Sequence, residues 1–75
     1  MAASRPVIHV SDGQTEAFVA RGGGKELRTV TSSTDPECLS WYGTNAEYLA
    51  RGVCRKLRAA HPHLHFVVEF VPLRS

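Results

Sequence analysis

Hydrophobic and polar positions in the first part of the chain fall into three short runs separated by turn residues. Residues 6–10 are mostly β-branched and apolar, and an Asp-Gly dipeptide follows them, which accepts the positive φ of a tight hairpin turn. Residues 15–21 and 25–31 flank three consecutive glycines, which favour a second hairpin. The pattern therefore predicts a three-stranded antiparallel meander over residues 1–31.

A helical pattern occupies the middle of the chain. Apolar residues recur at helical spacing over residues 45–60, and Pro62 disfavours helical backbone at the residue before it. Upstream, Asp35 and Pro36 are typical of a helix start, whereas Gly43 interrupts the pattern. Two interpretations stay open. One is a short helical turn from Pro36 and a main helix that starts at a capping box over residues 44–47, and the other is a single helix over residues 36–60.

The last apolar segment, residues 64–71, alternates with a period of two and is the strongest strand pattern in the chain. Phe66 and Phe70 share one face of this strand. We expect both rings to be hidden beneath Val53 and Leu57 of the helix, which leaves the arginines of the helix on its outer side.

The order of these elements predicts an α+β fold. We expect one compact β-β-β-α-β domain over residues 1–75, with a four-stranded mixed sheet and one main helix packed on one face. A helix that returns along the sheet would make the last strand parallel to the first. The last strand could pair beside the first or the third strand. Pairing of the two most apolar strands, with the charged strand over residues 25–31 at an edge, favours the strand order 3-2-1-4.

Composition narrows the class of protein. The chain has 75 residues, 43% of them hydrophobic, which suits a single small core. It contains no apolar run long enough to cross a membrane and no secretory signal at its N-terminus, so we expect a cytoplasmic protein without a membrane partner. In that compartment Cys38 and Cys54 are expected to be free buried thiols.

The candidate chemistry is sparse. No nucleophile, base and acid are brought together by spacing, and the glycine run lacks the phosphate-loop pattern, so we expect no enzyme activity and no cofactor. His63 and His65 share a strand face, and His9 on the first strand is a third candidate metal ligand. The favoured interpretation is a solvated strand face without a metal.

Three surfaces could contact a partner. The formal net charge is only +2, so charge distribution matters more than its total. Trp41 and Tyr42 lie in the connection before the helix, and Arg21 and Lys25 lie at the tip of the second hairpin. The third surface is the basic outer face of the helix, formed by Arg51, Arg55, Lys56 and Arg58. For each surface the alternative is ordinary solvation or core closure.

The hairpin Arg21-Gly-Gly-Gly-Lys25, the segment from Thr31 to Glu37 and the Ala- and Arg-rich helix that follows give the chain a general resemblance to a group of small proteins. In format it resembles the proteins carried by phages and other mobile elements, among them the anti-CRISPR proteins. The resemblance implies a sheet-and-helix domain without a catalytic motif that occludes a protein surface stoichiometrically. The mildly basic charge of this chain differs from the acidic, DNA-mimicking members.

These observations lead to a functional hypothesis. We expect a small non-enzymatic protein-binding module, of the kind that inhibits a host defence complex by steric occlusion. The alternative is a small nucleic-acid-binding domain that uses the basic helix face. A second copy of the chain is a further candidate partner, because an apolar strand at a sheet edge invites dimerisation.

Overall fold

The computed structural model describes residues 3–22 and 26–73, and these form four strands and one helix. The strands are β1 (Ser4–Ser11), β2 (Glu16–Val19), β3 (Thr29–Val30) and β4 (His65–Pro72), and the helix is α1 (Ala46–Ala60). The element order confirms the predicted β-β-β-α-β fold of the α+β class. The second and third strands are much shorter than the predicted runs.

The strand order in the sheet is β3-β2-β1-β4, as predicted, but the prediction of a mixed sheet is wrong. All three pairings are antiparallel. β1 and β4 form the longest ladder, which runs from Ser4 opposite Pro72 to Ser11 opposite His65. The two most apolar strands therefore pair along their whole length, although β4 lies at an edge.

The connection between β3 and α1 explains the direction of β4. Within this connection Cys38 bridges to Ala20 and Ser40 bridges to Val7, close to the end of the sheet at which β1 begins. The loop therefore makes the return that the sequence argument assigned to the helix. Because α1 starts at this end and runs along β1, the chain comes back antiparallel to β1 when it enters β4.

The first hairpin turn forms as predicted. Gly13 has a φ of +96°, a left-handed conformation that glycine adopts without strain. One carboxylate oxygen of Asp12, Oδ1, accepts hydrogen bonds from the main-chain N–H groups of Gln14 and Thr15 at 2.8 and 2.7 Å. The turn is thus held by a side chain as well as by its backbone conformation.

The helix begins at Ala46, so the single helix over residues 36–60 is not formed. Gly43 has a φ of +96°, which breaks the helical path. The predicted helical turn at Pro36 is also wrong, because this segment is a non-helical turn in which Asp35 Oδ1 accepts the Glu37 N–H at 2.8 Å. Asn45 makes no side-chain capping bond. The predicted capping box is absent, since Glu47 pairs with Arg51 instead.

The core lies between α1 and the sheet. The helix buries Ala46, Ala50 and Cys54, and the sheet contributes Phe66, which is only 2% exposed. Phe70 is 49% exposed, so the expectation that both rings are hidden is confirmed for Phe66 and wrong for Phe70. The first two turns of α1 bury only alanines against the sheet, and these short side chains do not extend over a ring on the edge strand.

Two further expectations concern the cysteines and the membrane. Cys38 and Cys54 are both free and buried, as predicted. Among the residues that the structure describes, no helix has the length and apolar character needed to cross a bilayer.

Candidate protein-binding edge

β4 is an edge strand of eight residues. It pairs with β1 on one side, and no other strand in the described part of the chain lies on its outer side. An edge strand presents unpaired N–H and C=O groups that can bond to another extended chain. The outer side of β4 is therefore the first place to look for a partner site.

The hydrogen-bond register shows which main-chain groups of β4 point outward. Leu73 N–H donates to Ala3 O at 3.0 Å, so this pair is hydrogen-bonded across the ladder. Hydrogen-bonded and non-bonded pairs alternate along antiparallel strands. The odd-numbered residues of β4 therefore bond to β1, whereas Phe66, Val68 and Phe70 direct their N–H and C=O groups away from the sheet.

One of these outward groups already has a partner. The side chain of Arg58 reaches from α1 and donates from Nε and Nη2 to Phe66 O at 3.0 and 2.8 Å. This contact confirms the register derived above, since it requires the Phe66 carbonyl to face outward. Arg58 thus covers the edge of β4 at Phe66, and the outward main-chain groups of Val68 and Phe70 have no hydrogen-bond partner among the described residues.

Apolar side chains flank the open segment on both faces of the sheet. Phe70, on the face that carries α1, is 49% exposed, and Val67, on the opposite face, is 43% exposed. A strand added to this edge would therefore meet an apolar side chain on either face. Burial of such side chains adds to the main-chain hydrogen bonds of strand addition.

A small basic recess lies beside the edge, between α1 and β4. Its volume is about 150 Å³, and it is lined by Arg51, Cys54, Arg55, Arg58 and Val68. Arg51 is paired with Glu47 at 2.7 Å, and Arg58 bonds to the Phe66 carbonyl. Arg55 has no carboxylate partner among the described residues. The recess therefore keeps a net positive charge next to the open edge.

All four cations of the basic helix face are exposed, and three of them lie together. Arg51, Arg55 and Arg58 lie together over the edge of β4. Lys56 is exposed but lies about 100° around the helix from Arg55 and does not line the recess. Arg58 is exposed, as expected, but its guanidinium also bonds to the main chain of the sheet. The four cations do not form one continuous row.

The aromatic pair before the helix is divided between two environments. Trp41 is half-buried and packs against the core, which agrees with the alternative interpretation that it closes a small core. Tyr42 is 67% exposed, and its hydroxyl lies 3.4 Å from Ser40 Oγ. Only Tyr42 of this pair presents most of its side chain to a partner.

Of the two residues at the predicted hairpin tip, Lys25 lies outside the described residues. Arg21 is described, and its Nη2 donates to Pro36 O at 2.6 Å. Its guanidinium is therefore held against the loop before the helix and does not extend freely from a hairpin.

The three candidate metal ligands do not form a cluster. His63 is exposed in the turn before β4, so the prediction that it shares a strand face with His65 is wrong. His9 lies opposite Val67 in the ladder, whereas His65 lies opposite Ser11. The ring of His9 instead meets Glu16 at 3.0 Å and Glu69 at 3.8 Å. Within residues 3–22 and 26–73, no group of three or more metal-ligating side chains comes together.

Sequence reasoning missed two features, one at the edge of β4 and one in the loop before the helix. The bond from Arg58 to Phe66 O depends on the helix lying over the edge of β4, which periodicity alone does not specify. Arg5 was not considered, yet its Nη2 donates to Ser33 O at 2.8 Å and holds the loop before the helix. A basic residue next to an apolar strand was the available signal for Arg5.

Comparison of the chain with protein-family models, with curated proteins and with solved structures found no match in any of the three.

Proposed function

We propose that this chain is a non-enzymatic protein-binding module that receives an extended, acidic segment of a partner on the outer edge of β4. The observation that carries the proposal is the open main chain at Val68 and Phe70, between the arginine recess on the α1 face and the half-exposed Val67 on the opposite face. The partner segment would add a fifth strand to the sheet. Main-chain hydrogen bonds would supply affinity and side-chain contacts specificity.

Charge defines the chemistry of the partner segment. Side chains of an added strand alternate between the two faces of the sheet. Those on the α1 face would lie beside Arg55 and Arg51, where a carboxylate forms charge-assisted hydrogen bonds with a guanidinium. A segment that alternates acidic and apolar residues therefore fits the edge, and a basic segment does not.

A second copy of the chain fits this edge less well. In antiparallel pairing of β4 with itself, the two-fold axis is perpendicular to the sheet, so both helices lie on the same face. The arginine recess of one copy would then face that of the other, and like charges would oppose each other. Arg58 also blocks the Phe66 carbonyl of each copy.

Nucleic-acid binding is also less well supported. Of the four helix cations, Arg51 is paired with Glu47 and Arg58 is bonded to Phe66 O. Only Arg55 and Lys56 are left without a described partner, and they point in different directions. Two separated cations give a weak phosphate-tracking surface, because affinity for a nucleic acid grows with the number of neutralised phosphates.

The test is a titration of the ¹⁵N-labelled chain with a capped hexapeptide of alternating Glu and Val. We expect saturable shifts at β4, and none with the matched Lys and Val peptide. Val68→Pro removes an outward N–H without removing a bond to β1, and it should weaken binding about tenfold or more. Val68→Ala is the matched control, because it shortens the same side chain but keeps the N–H.

The charge of the recess is tested in the same titration. Arg55→Gln should weaken binding of the acidic peptide and leave the folded spectrum unchanged. Binding of a short DNA duplex in preference to the peptide would contradict the proposal, as would equal binding of the peptide by Val68→Pro and Val68→Ala. Strand addition would also account for inhibition by occlusion, because a partner segment bound on β4 is no longer accessible to other molecules.

A further inference from the structure

A second polar site lies at the end of the sheet where β1 begins. It is a cleft of about 330 Å³ that contains two guanidinium groups, those of Arg5 and Arg21. The rest of the lining comes mainly from the loop before α1, which contributes Asp35, Ser40 and Tyr42. Leu73, the residue after β4, completes it.

Neither guanidinium group forms an ion pair with a described carboxylate. Arg5 donates to Ser33 O and Pro72 O, and Arg21 donates to Pro36 O, which are neutral main-chain acceptors. Asp35 is the one acidic residue that lines the cleft, so its formal charge is +1.

The Nε–H of Arg5 lies below the accessible surface without a described acceptor, so Arg5 has unused hydrogen-bonding capacity, and a ligand in the cleft would meet its other N–H groups. A buried donor without an acceptor costs about 1–3 kcal/mol, so native proteins rarely leave one unpaired. The arginines also keep several further N–H donors that the main-chain bonds do not use.

We propose that this cleft binds a phosphate group, either free or carried by a small monoester. A phosphate offers three or more acceptor oxygens and matches the planar fork of a guanidinium. Hydroxyl groups of Ser40 and Tyr42, 3.4 Å apart, add donors on the cleft wall. The volume lies at the lower end of small-ligand pockets, which suits a phosphate with a short organic group. The site is separate from the edge of β4.

The experiment titrates the whole ¹⁵N-labelled chain with inorganic phosphate, glycerol 3-phosphate or acetate at low ionic strength. We expect saturable shifts of the amides of Thr34, Asp35, Glu37 and Cys38 with both phosphates, and much weaker effects with acetate. Tighter binding of glycerol 3-phosphate would identify a monoester as the ligand, and equal binding would identify the phosphate group alone.

Charge variants test the assignment in both directions. Arg21→Gln should weaken phosphate binding about tenfold, because it removes a charge-assisted donor. Asp35→Asn should strengthen binding about threefold, since it removes the opposing charge but keeps the Oδ1 that accepts the Glu37 N–H. Arg55→Gln makes the same charge change outside the cleft and should leave the affinity unaltered.

Several results would overturn this proposal. Absence of saturable phosphate binding by the parent chain would contradict the proposal. Equal affinities for acetate and phosphate, or equal losses in Arg21→Gln and Arg55→Gln, would show nonspecific charge attraction. Because Asp35→Asn predicts a gain, a loss of fold in Arg21→Gln does not remove the test. A negative result with phosphate would not contradict the proposed peptide binding at β4.

Discussion

The guanidinium of Arg58 donates two hydrogen bonds to the main-chain oxygen of Phe66, at 3.0 and 2.8 Å. The contact joins the end of α1 to the outer edge of β4. It therefore has two roles: it fixes the helix on the sheet, and it occupies one of the main-chain groups that a partner strand would use.

Arg58→Ala should destabilise the fold by about 1–3 kcal/mol, because a charge-assisted bond is lost and a carbonyl is left open. Arg55→Ala is the matched control and should stay within about 0.5 kcal/mol of the parent, since Arg55 makes no described hydrogen bond. Urea unfolding measures both. Equal stabilities of the two variants would show that the bond to Phe66 O contributes nothing.

The two phenylalanines of β4 should differ in their contribution to stability. Phe66→Ala removes a ring that is only 2% exposed, so we expect a loss of about 3–5 kcal/mol, which is most of the stability of a domain this small. Phe70→Ala alters a ring that is 49% exposed and should cost much less. Thermal unfolding followed by circular dichroism distinguishes them, and similar losses would contradict the assigned burial.

The contrast between Phe66 and Phe70 shows what the sequence predicts and what it does not. Alternation placed both on one strand face, and the periodicity of residues 45–60 placed a helix over that face. Alternation does not report how far the helix extends across the sheet, so the exposure of Phe70 was not predictable. That exposure follows from the alanines that α1 presents at Ala46 and Ala50 and from the edge position of β4.

The predicted direction of β4, parallel to β1, was wrong for a related reason. Hydrophobic pattern predicted the strand order, because it identifies the two most apolar strands. It carries no information on where a polar connection goes, and the bridges from Cys38 and Ser40 back to the start of β1 determine the direction. The cleft that contains Arg5 and Arg21 depends on the same loop. Hydrophobic pattern therefore did not predict the cleft, and the sequence indicated Arg21 only as part of a hairpin tip.

Asp12 should contribute to stability against acid. The N–H groups of Thr15 and Gln14 bond to its carboxylate and lower its pKa below the ordinary value of 3.8. A lowered pKa in the folded state means that the stabilisation is complete above pH 3.8 and is lost as the pH falls through the folded value. Asp12→Asn should lack this component, so its stability relative to the parent should rise as the pH falls.

Urea unfolding at a series of pH values from neutral to acid measures this difference. Glu26→Gln is a suitable control, because it removes a carboxylate that makes no described hydrogen bond or ion pair. A stability difference between Asp12→Asn and the parent that does not change with pH would contradict the prediction.

Cys38 should be an unreactive thiol at neutral pH. Burial raises its pKa above the ordinary value of 9.0, an effect that the charge of Asp35 reinforces and that of Arg5 opposes. The thiolate is the reactive form, so alkylation by iodoacetamide should be slower than for a free cysteine. The measurement uses a Cys54→Ala background, so that one thiol reacts. Alkylation of the folded chain as fast as that of the urea-unfolded chain would contradict the assignment.

The most direct test of the partner edge is amide hydrogen exchange along β4, followed by nuclear magnetic resonance. In the free chain, the N–H groups of Val67 and Glu69 should exchange slowly because they bond to β1, whereas those of Val68 and Phe70 should exchange fast. Addition of the Glu and Val peptide should slow Val68 and Phe70 selectively. Slow exchange of these two amides in the free chain, or unchanged exchange when the peptide is bound, would contradict strand addition at β4.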